Sequence, residues 1–200
     1  MALTARTEGR LVVVEPLSRE HEEGLFEAAR DPEVWAHLTA FPDAYESRER
    51  FHAWMEEALA ATAVGSEGAW AIIDRSTERP IGSTRYLTLR PEWHSLEIGW
   101  TWLARRAWGS GANVETKLLL LTRAFEQLGR ERVEFKTDAL NARSRAALAA
   151  LPAQFEGIWR RHMPRRDGSW RDSAWYSVIA PEWPSVKEQL ESRMNRVVSR

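Results

Sequence analysis

Apolar positions fall into alternating strand-like and helix-like stretches. Leu11 to Val14 is a short β-branched run ending at Pro16 and predicts a strand. Ser18 can cap a helix carrying Leu25, Phe26 and Ala29, and Asp31-Pro32 opens a short helical segment through Val34, Trp35 and Leu38. Ser47 heads a clearer helix, with Phe51, Trp54, Met55, Ala58 and Leu59 spaced for one face. After a loop from Gly65 to Gly68, Ala69 to Asp74 and Ile81 to Leu89 read as a hairpin joined across Ser76 to Pro80. Leu96 to Leu103 predicts a strand with Leu96, Ile98, Trp100 and Trp102 on one face.

A loop from Arg106 to Asn113 separates that strand from a long helix. Val114, Leu118, Leu121, Phe125 and Leu128 form its apolar stripe, and Gly129 stands where a helix end favours glycine. Arg132 to Thr137 predicts a strand, and Ala142 to Leu151 a short helix halted by Pro152. Phe155 to Met163 and Trp170 to Ile179 predict a hairpin around Asp167-Gly168, and Pro184 to Val198 a mostly polar helix. There is no repeat, linker or low-complexity segment. One α/β (α+β) domain over 1–200 is expected, with its core over about 11–180 and a C-terminal helix over about 184–198.

Composition narrows the function classes. Forty-four per cent apolar and 28% charged residues describe an ordinary globular chain. No apolar run approaches the roughly 18 residues of a membrane span, and the first residues lack a secretory apolar stretch. A net charge of -1 gives no general affinity for nucleic acid or anionic membrane. The absence of cysteine excludes a thiol nucleophile and fits a cytoplasmic protein. Lys117, Lys136 and Lys187 are the only lysines among 28 basic residues, so few side chains could serve as a tuned amine. The 11 tryptophans either fill a core or line a groove. Histidines are scattered, and no metal-ligand spacing recurs.

The loop carries the candidate chemistry. A helix N-terminus presents unpaired N–H donors and about half a positive charge, which suits a phosphate. Gly109 and Gly111 allow close approach to bare backbone, and Asn113 can cap the helix. No lysine follows the last glycine as a P-loop requires, and the dinucleotide fingerprint lacks its third glycine. Two glycines alone are equally compatible with an ordinary tight turn.

The neighbouring residues add a resemblance. Arg106-x-x-Gly109-x-Gly111 matches the Arg/Gln-x-x-Gly-x-Gly/Ala signature. The match runs on through Ile98-Gly99-Trp100, Asn113-x-Glu115-x-Lys117-Leu118-Leu119, Ala124-Phe125-Glu126, Arg132-Val133-Glu134 and Asn141-x-x-Ser144. It continues in Phe155-Glu156-Gly157, Arg160-Arg161-His162 and Arg171-Asp172. Over roughly Leu11 to Trp183 the chain resembles the GNAT N-acetyltransferases, most closely their RimJ/RimL-like, ribosomal-protein-acetylating branch. The family usually has Leu-Gly where this chain has Leu151-Pro152, and an aromatic or long apolar residue at Ala112.

The resemblance implies a central mixed, mostly antiparallel sheet flanked by helices and split near the coenzyme. It implies acetyl transfer from acetyl-CoA to a primary amine, by direct attack in a ternary complex. The acceptor would be a small molecule or a protein N-terminus, with a homodimer left open; the sequence itself supports no metal or membrane, and RNA binding through the arginine hairpin is the least favoured reading. Arg106, Trp108, Gly109, Ser110, Gly111, Ala112 and Asn113 would hold the coenzyme phosphates. Leu103 and Ala104 would pair with pantetheine, and Asn141 and Ser144 would lie near its sulfur.

Ser144 reads either as proton donor to the thiolate or as a helix cap, and Glu97, on the face opposite the Trp100/Trp102 stripe, either as base or as an ordinary solvent-facing or ion-paired glutamate. Trp35 and Trp100 would shape the acceptor groove, with Trp54 beside Trp35. His94 and Tyr176 are weaker candidates, read mainly as loop and core residues. Arg160, Arg161, His162, Arg165 and Arg166 form a basic hairpin tip. The alternative overall reading is a GNAT-like module that binds acyl-CoA without turnover.

Overall fold

A computed structural model describes residues 2–38, 41, 43–165 and 167–198. Its strands are β1 (Thr7–Glu8), β2 (Val12–Pro16), β3 (Gly68–Asp74), β4 (Arg79–Arg90), β5 (Ser95–Leu103), β6 (Arg132–Asp138), β7 (Gln154–Pro164) and β8 (Trp170–Ile179). Its α-helices are α1 (Glu22–Ala28), α2 (Arg48–Ala63), α3 (Ala112–Thr122), α4 (Ala142–Ala149) and α5 (Trp183–Val198). One sheet runs in the order β1-β2-β3-β4-β5-β6-β8-β7, and only β5 and β6 are parallel neighbours. The mixed, mostly antiparallel sheet flanked by helices is the architecture expected.

Alternation along the strands divides the core between two faces. Trp70, Ile72, Tyr86, Ile98 and Phe135 pack with Leu120 and Leu121 of α3 and Leu190 of α5. Ala69, Ala71 and Trp102 instead pack with Leu25 and Phe26 of α1 and Phe51, Trp54 and Met55 of α2. Local signals set several helix starts. Asp31 accepts from Glu33 N at 2.9 Å, and Ser47 accepts from Arg50 N at 3.3 Å.

Two expected patterns are corrected. Leu96, Ile98, Trp100 and Trp102 do not share a face, because the register against β4 shifts by one residue between Gly99 and Trp102. Trp100, at φ 49°, is the bulged residue. Trp102 thereby joins the α1/α2 core on the side of Glu97, while Leu103 returns to the Ile98 side. Along α3 and the π-helical turn that follows it (Arg123–Gln127), the predicted stripe is buried fully only at Leu121. Wedged between sheet and α5, the helix buries Glu115, Thr116 and Lys117 as well.

Glu115 explains part of that. Its carboxylate accepts from the backbone N–H groups of Arg10, Leu11 and Val12 at 2.7, 2.7 and 2.8 Å, which ties the start of β2 to α3.

Candidate active site

The site follows from how β5 and β6 part. Their pairing ends at Glu97 and Glu134, yet both strands continue. Ile98 to Leu103 and Phe135 to Thr137 therefore face each other across a cleft. One end is closed by Trp108, Gly109, Gly111 and Asn113, by Asn141 and Ser144 at the start of α4, and by Arg193 and Val197 of α5. The other end holds His37, Glu97, Trp100, Lys136, Met163 and Arg171.

At the loop end, Arg105–Ala107 form one 3-10 turn, and Gly109 and Gly111 adopt φ of 77° and 93°. Gly111 is the N-cap of α3, so Asn113 is the second helical residue and not its cap. Ser110 closes the turn: its hydroxyl donates to Ala107 O at 2.8 Å and accepts from Ala112 N at 3.2 Å. The Trp108 indole donates to Leu103 O at 2.8 Å, and the Arg143 guanidinium stacks 3.3 Å above its ring. A Cβ on Gly109 would meet nothing within 4 Å, whereas one on Gly111 would lie 2.8 Å from Val197 and 3.0 Å from Leu11. Gly109 leaves open space; Gly111 also lets α5 pack.

Ala104, Arg106, Ser110 and Ala112 do not line the cleft. Arg106 instead donates to Pro80 O at 3.3 Å. Asn141 caps α4 by accepting from Ser144 N at 3.0 Å, so the capping role falls to Asn141, and Ser144 faces the cleft.

Glu97 is 1% exposed. Its Oε2 accepts from Lys136 Nζ at 2.8 Å and from Thr88 Oγ1 at 3.2 Å. Its Oε1 lies where a Cβ on Gly99 would come within 2.8 Å, so the glycine makes room for the carboxylate. Because of the bulge, Glu97 shares its sheet face with Trp102, contrary to the expected separation. Trp100 lines the cleft with Arg85 5.3 Å from its ring.

Trp35 is withdrawn from the groove. It packs against Phe51, Trp54 and Trp102 and donates to Ala29 O, while Val34, His37 and Leu38 of the same segment line the cleft. Trp54 is likewise core. Burial lowers the His37 imidazole below its usual range, with Asp138 opposing.

Lys117 and Arg171 are among the cleft residues that the sequence pattern does not single out. Lys117 Nζ donates to Thr101 Oγ1 at 2.6 Å, and Thr101 is bonded to Thr84 at 2.8 Å. Burial brings the Lys117 ammonium down to about 7, and Glu97 partly opposes this. Its signal was a lone lysine three residues after Val114 and four before Leu121, on the buried side of the helix. Arg171, 6% exposed, had no such signal; only the register of β8 brings it to the cleft.

The remaining candidates lie elsewhere. His94 is exposed outside the cleft, and Tyr176 is core against Phe155. At the hairpin, Arg165 is paired with Asp138, His162 contacts Ser173, and Arg161 lies over Trp170, so these three are engaged within the fold. Arg160 is exposed on β7, and Arg166 lies outside the described residues. Among the described residues no three His, Asp or Glu side chains cluster as a metal site.

Residues 10–153 match the family described as the acetyltransferase (GNAT) domain. No curated protein matches significantly. A protein from T. thermophilus, provisionally named an acetyltransferase, is 39% identical, with 96% of this chain and 98% of that chain covered at TM-score 0.85. A GCN5-related N-acetyltransferase from Brucella melitensis is 29% identical, covering 94% and 84% at TM-score 0.87. RimL, a ribosomal L7/L12 α-N-protein acetyltransferase solved with coenzyme A, shares the fold at 16% identity, covering 88% and 98% at TM-score 0.76. The chain belongs to the GNAT acetyltransferase family and is an acyltransferase.

Proposed function

We propose that this protein transfers the acetyl group of acetyl-CoA to a primary amine by direct attack in a ternary complex. The observation that carries this is the opening between β5 and β6, which leads from Glu97 to the helix N-terminus at Gly111. Pantetheine would extend the sheet along Leu103, and the phosphates would meet the N–H groups at the start of α3. Asn113 and Arg193 stand at the same end, and the latter supports treating all 200 residues as one working domain.

Backbone near Leu103 would polarise the thioester carbonyl. Glu97 would accept the proton of the attacking amine at Oε1, directly or through water, while Lys136 and Thr88 hold Oε2 in place. Ser144 would relay a proton to the departing thiolate, giving up its own as it takes one from water in the cleft. A protein N-terminal amine, with a pKa of about 8, needs less help than an alkylamine. The resemblance to the RimJ/RimL-like branch supports such an acceptor, and the cleft is equally open to small amines. An acetyl-CoA donor fits a cytoplasmic location.

Incubation with acetyl-CoA and a panel of amines and peptides, following free CoA, tests this reading. Transfer to at least one acceptor is expected. Calorimetric CoA binding without any transfer would instead make the protein an acyl-CoA-binding module, and the absence of both would remove the coenzyme site.

A further inference from the structure

We propose that Arg171 recognises a carboxylate on the acceptor, so that the acetylated amine belongs to an amino acid or to an acidic peptide N-terminus. This rests on the acetyl-transfer reading above. The register of β6 against β8 sets Asp138 opposite Ser173 and Lys136 opposite Trp175. Strand alternation then places Arg171, Asp138 and Lys136 on one face. Glu97, joined to that face through its pairing with Glu134, lies there too. The opposite face carries Phe135, which packs with α3. Arg171 is thus on the side of the proposed base, away from the helix behind the phosphate loop.

The charges on this face do not balance. Glu97 is paired with Lys136 at 2.8 Å and Asp138 with Arg165 at 2.7 Å. Arg171 is the cation left over. Its Nε donates to Ser173 Oγ at 3.1 Å, and among the described residues its two terminal NH2 groups have no hydrogen-bond partner. A guanidinium largely withdrawn from water with no carboxylate in ion-pair contact among the described residues is unfavourable, and its terminal nitrogens keep their open side toward the cleft. Burial weighs against its charge, Asp138 and Glu97 favour it, and Arg165 opposes it. A carboxylate entering the cleft can accept from both NH2 groups in the planar geometry that guanidinium selects. Met163, opposite Arg171 on β7, gives the acceptor's carbon skeleton an apolar wall.

The test follows CoA release on matched acceptors: free amino acids against their carboxamides, and peptides beginning with Asp against those beginning with Asn. In the wild-type protein the acid member of at least one pair is expected to lead by about 10–100-fold in kcat/KM, the range of a charge-assisted pair. Arg171→Gln should abolish that lead through KM and leave CoA affinity by calorimetry unchanged; Arg171→Lys should restore only part of it. The two arms separate a free amino acid from a peptide. Equal rates on acid and amide would overturn the proposal, and so would weakened CoA binding by Arg171→Gln, which would give the guanidinium to a coenzyme phosphate. If no acceptor is turned over, the transfer reading fails separately. The carboxylate site is then judged by titrating CoA-saturated protein with N-acetylalanine and N-acetylalaninamide: tighter binding of the acid upholds it, and no difference overturns it.

Discussion

The two ends of the cleft are made of different materials. The loop end is mostly backbone: two glycines at positive φ, a helix N-terminus, and one turn tied by Ser110 and Trp108. The Glu97 end is mostly side chain: Glu97 from β5, Lys136 from β6, Arg171 from β8 and His37 from the segment after α1. A backbone cradle can hold a constant coenzyme while its side chains drift. An acceptor pocket of side chains from distant segments can change specificity one residue at a time. Substitutions at the two ends should therefore fail in different ways.

The largest effect is expected at the side-chain end. Glu97→Gln keeps the shape above Gly99 and removes the proton acceptor, so kcat/KM should fall by about a thousandfold, within the range for general bases. CoA affinity by calorimetry should not move. A turnover within a few-fold of wild type would return Glu97 to a structural partner of Lys136 and leave deprotonation to water. At the backbone end, Gly109→Asn should weaken CoA binding by about a hundredfold, as open space over the loop fills. Gly109 sits at a φ of 77°, which asparagine tolerates better than other side chains, and an added Cβ there meets nothing, whereas one on Gly111 would collide with Val197. Undiminished affinity in Gly109→Asn would move the phosphates elsewhere.

The same division explains what could be read from sequence. A strand, two glycines and a helix are contiguous, so the Arg106 to Asn113 loop was legible in one window. Its details were not: the cap passed from Asn113 to Gly111, and Arg106 turned toward Pro80. The Trp100 bulge was invisible because strict alternation was assumed, and one extra residue reversed the face of Trp102. Arg171 depends on a β6–β8 register set by residues far apart in the chain, which no local pattern encodes. Trp35 was misplaced because an aromatic residue on a short helix suits a groove and a core equally well.

Lys117 stands between the two ends and tests whether the cleft's polarity is built at the expense of stability. Its ammonium, normally near 10.5, is brought to about 7 by burial. Below pH 7 the folded and unfolded chains both carry the proton, and the fold bears the full penalty of a buried charge. Between about 7 and 10.5 only the unfolded chain holds it, so stability rises with pH across that window. Lys117→Met should therefore stabilise the protein by about 2 kcal/mol at pH 6, with the advantage fading toward pH 10.5. The loss of the Thr101 partner keeps the gain below what the shift alone implies. Denaturant unfolding at several pH values checks this. A gap that does not vary with pH would show that the amine is not held uncharged.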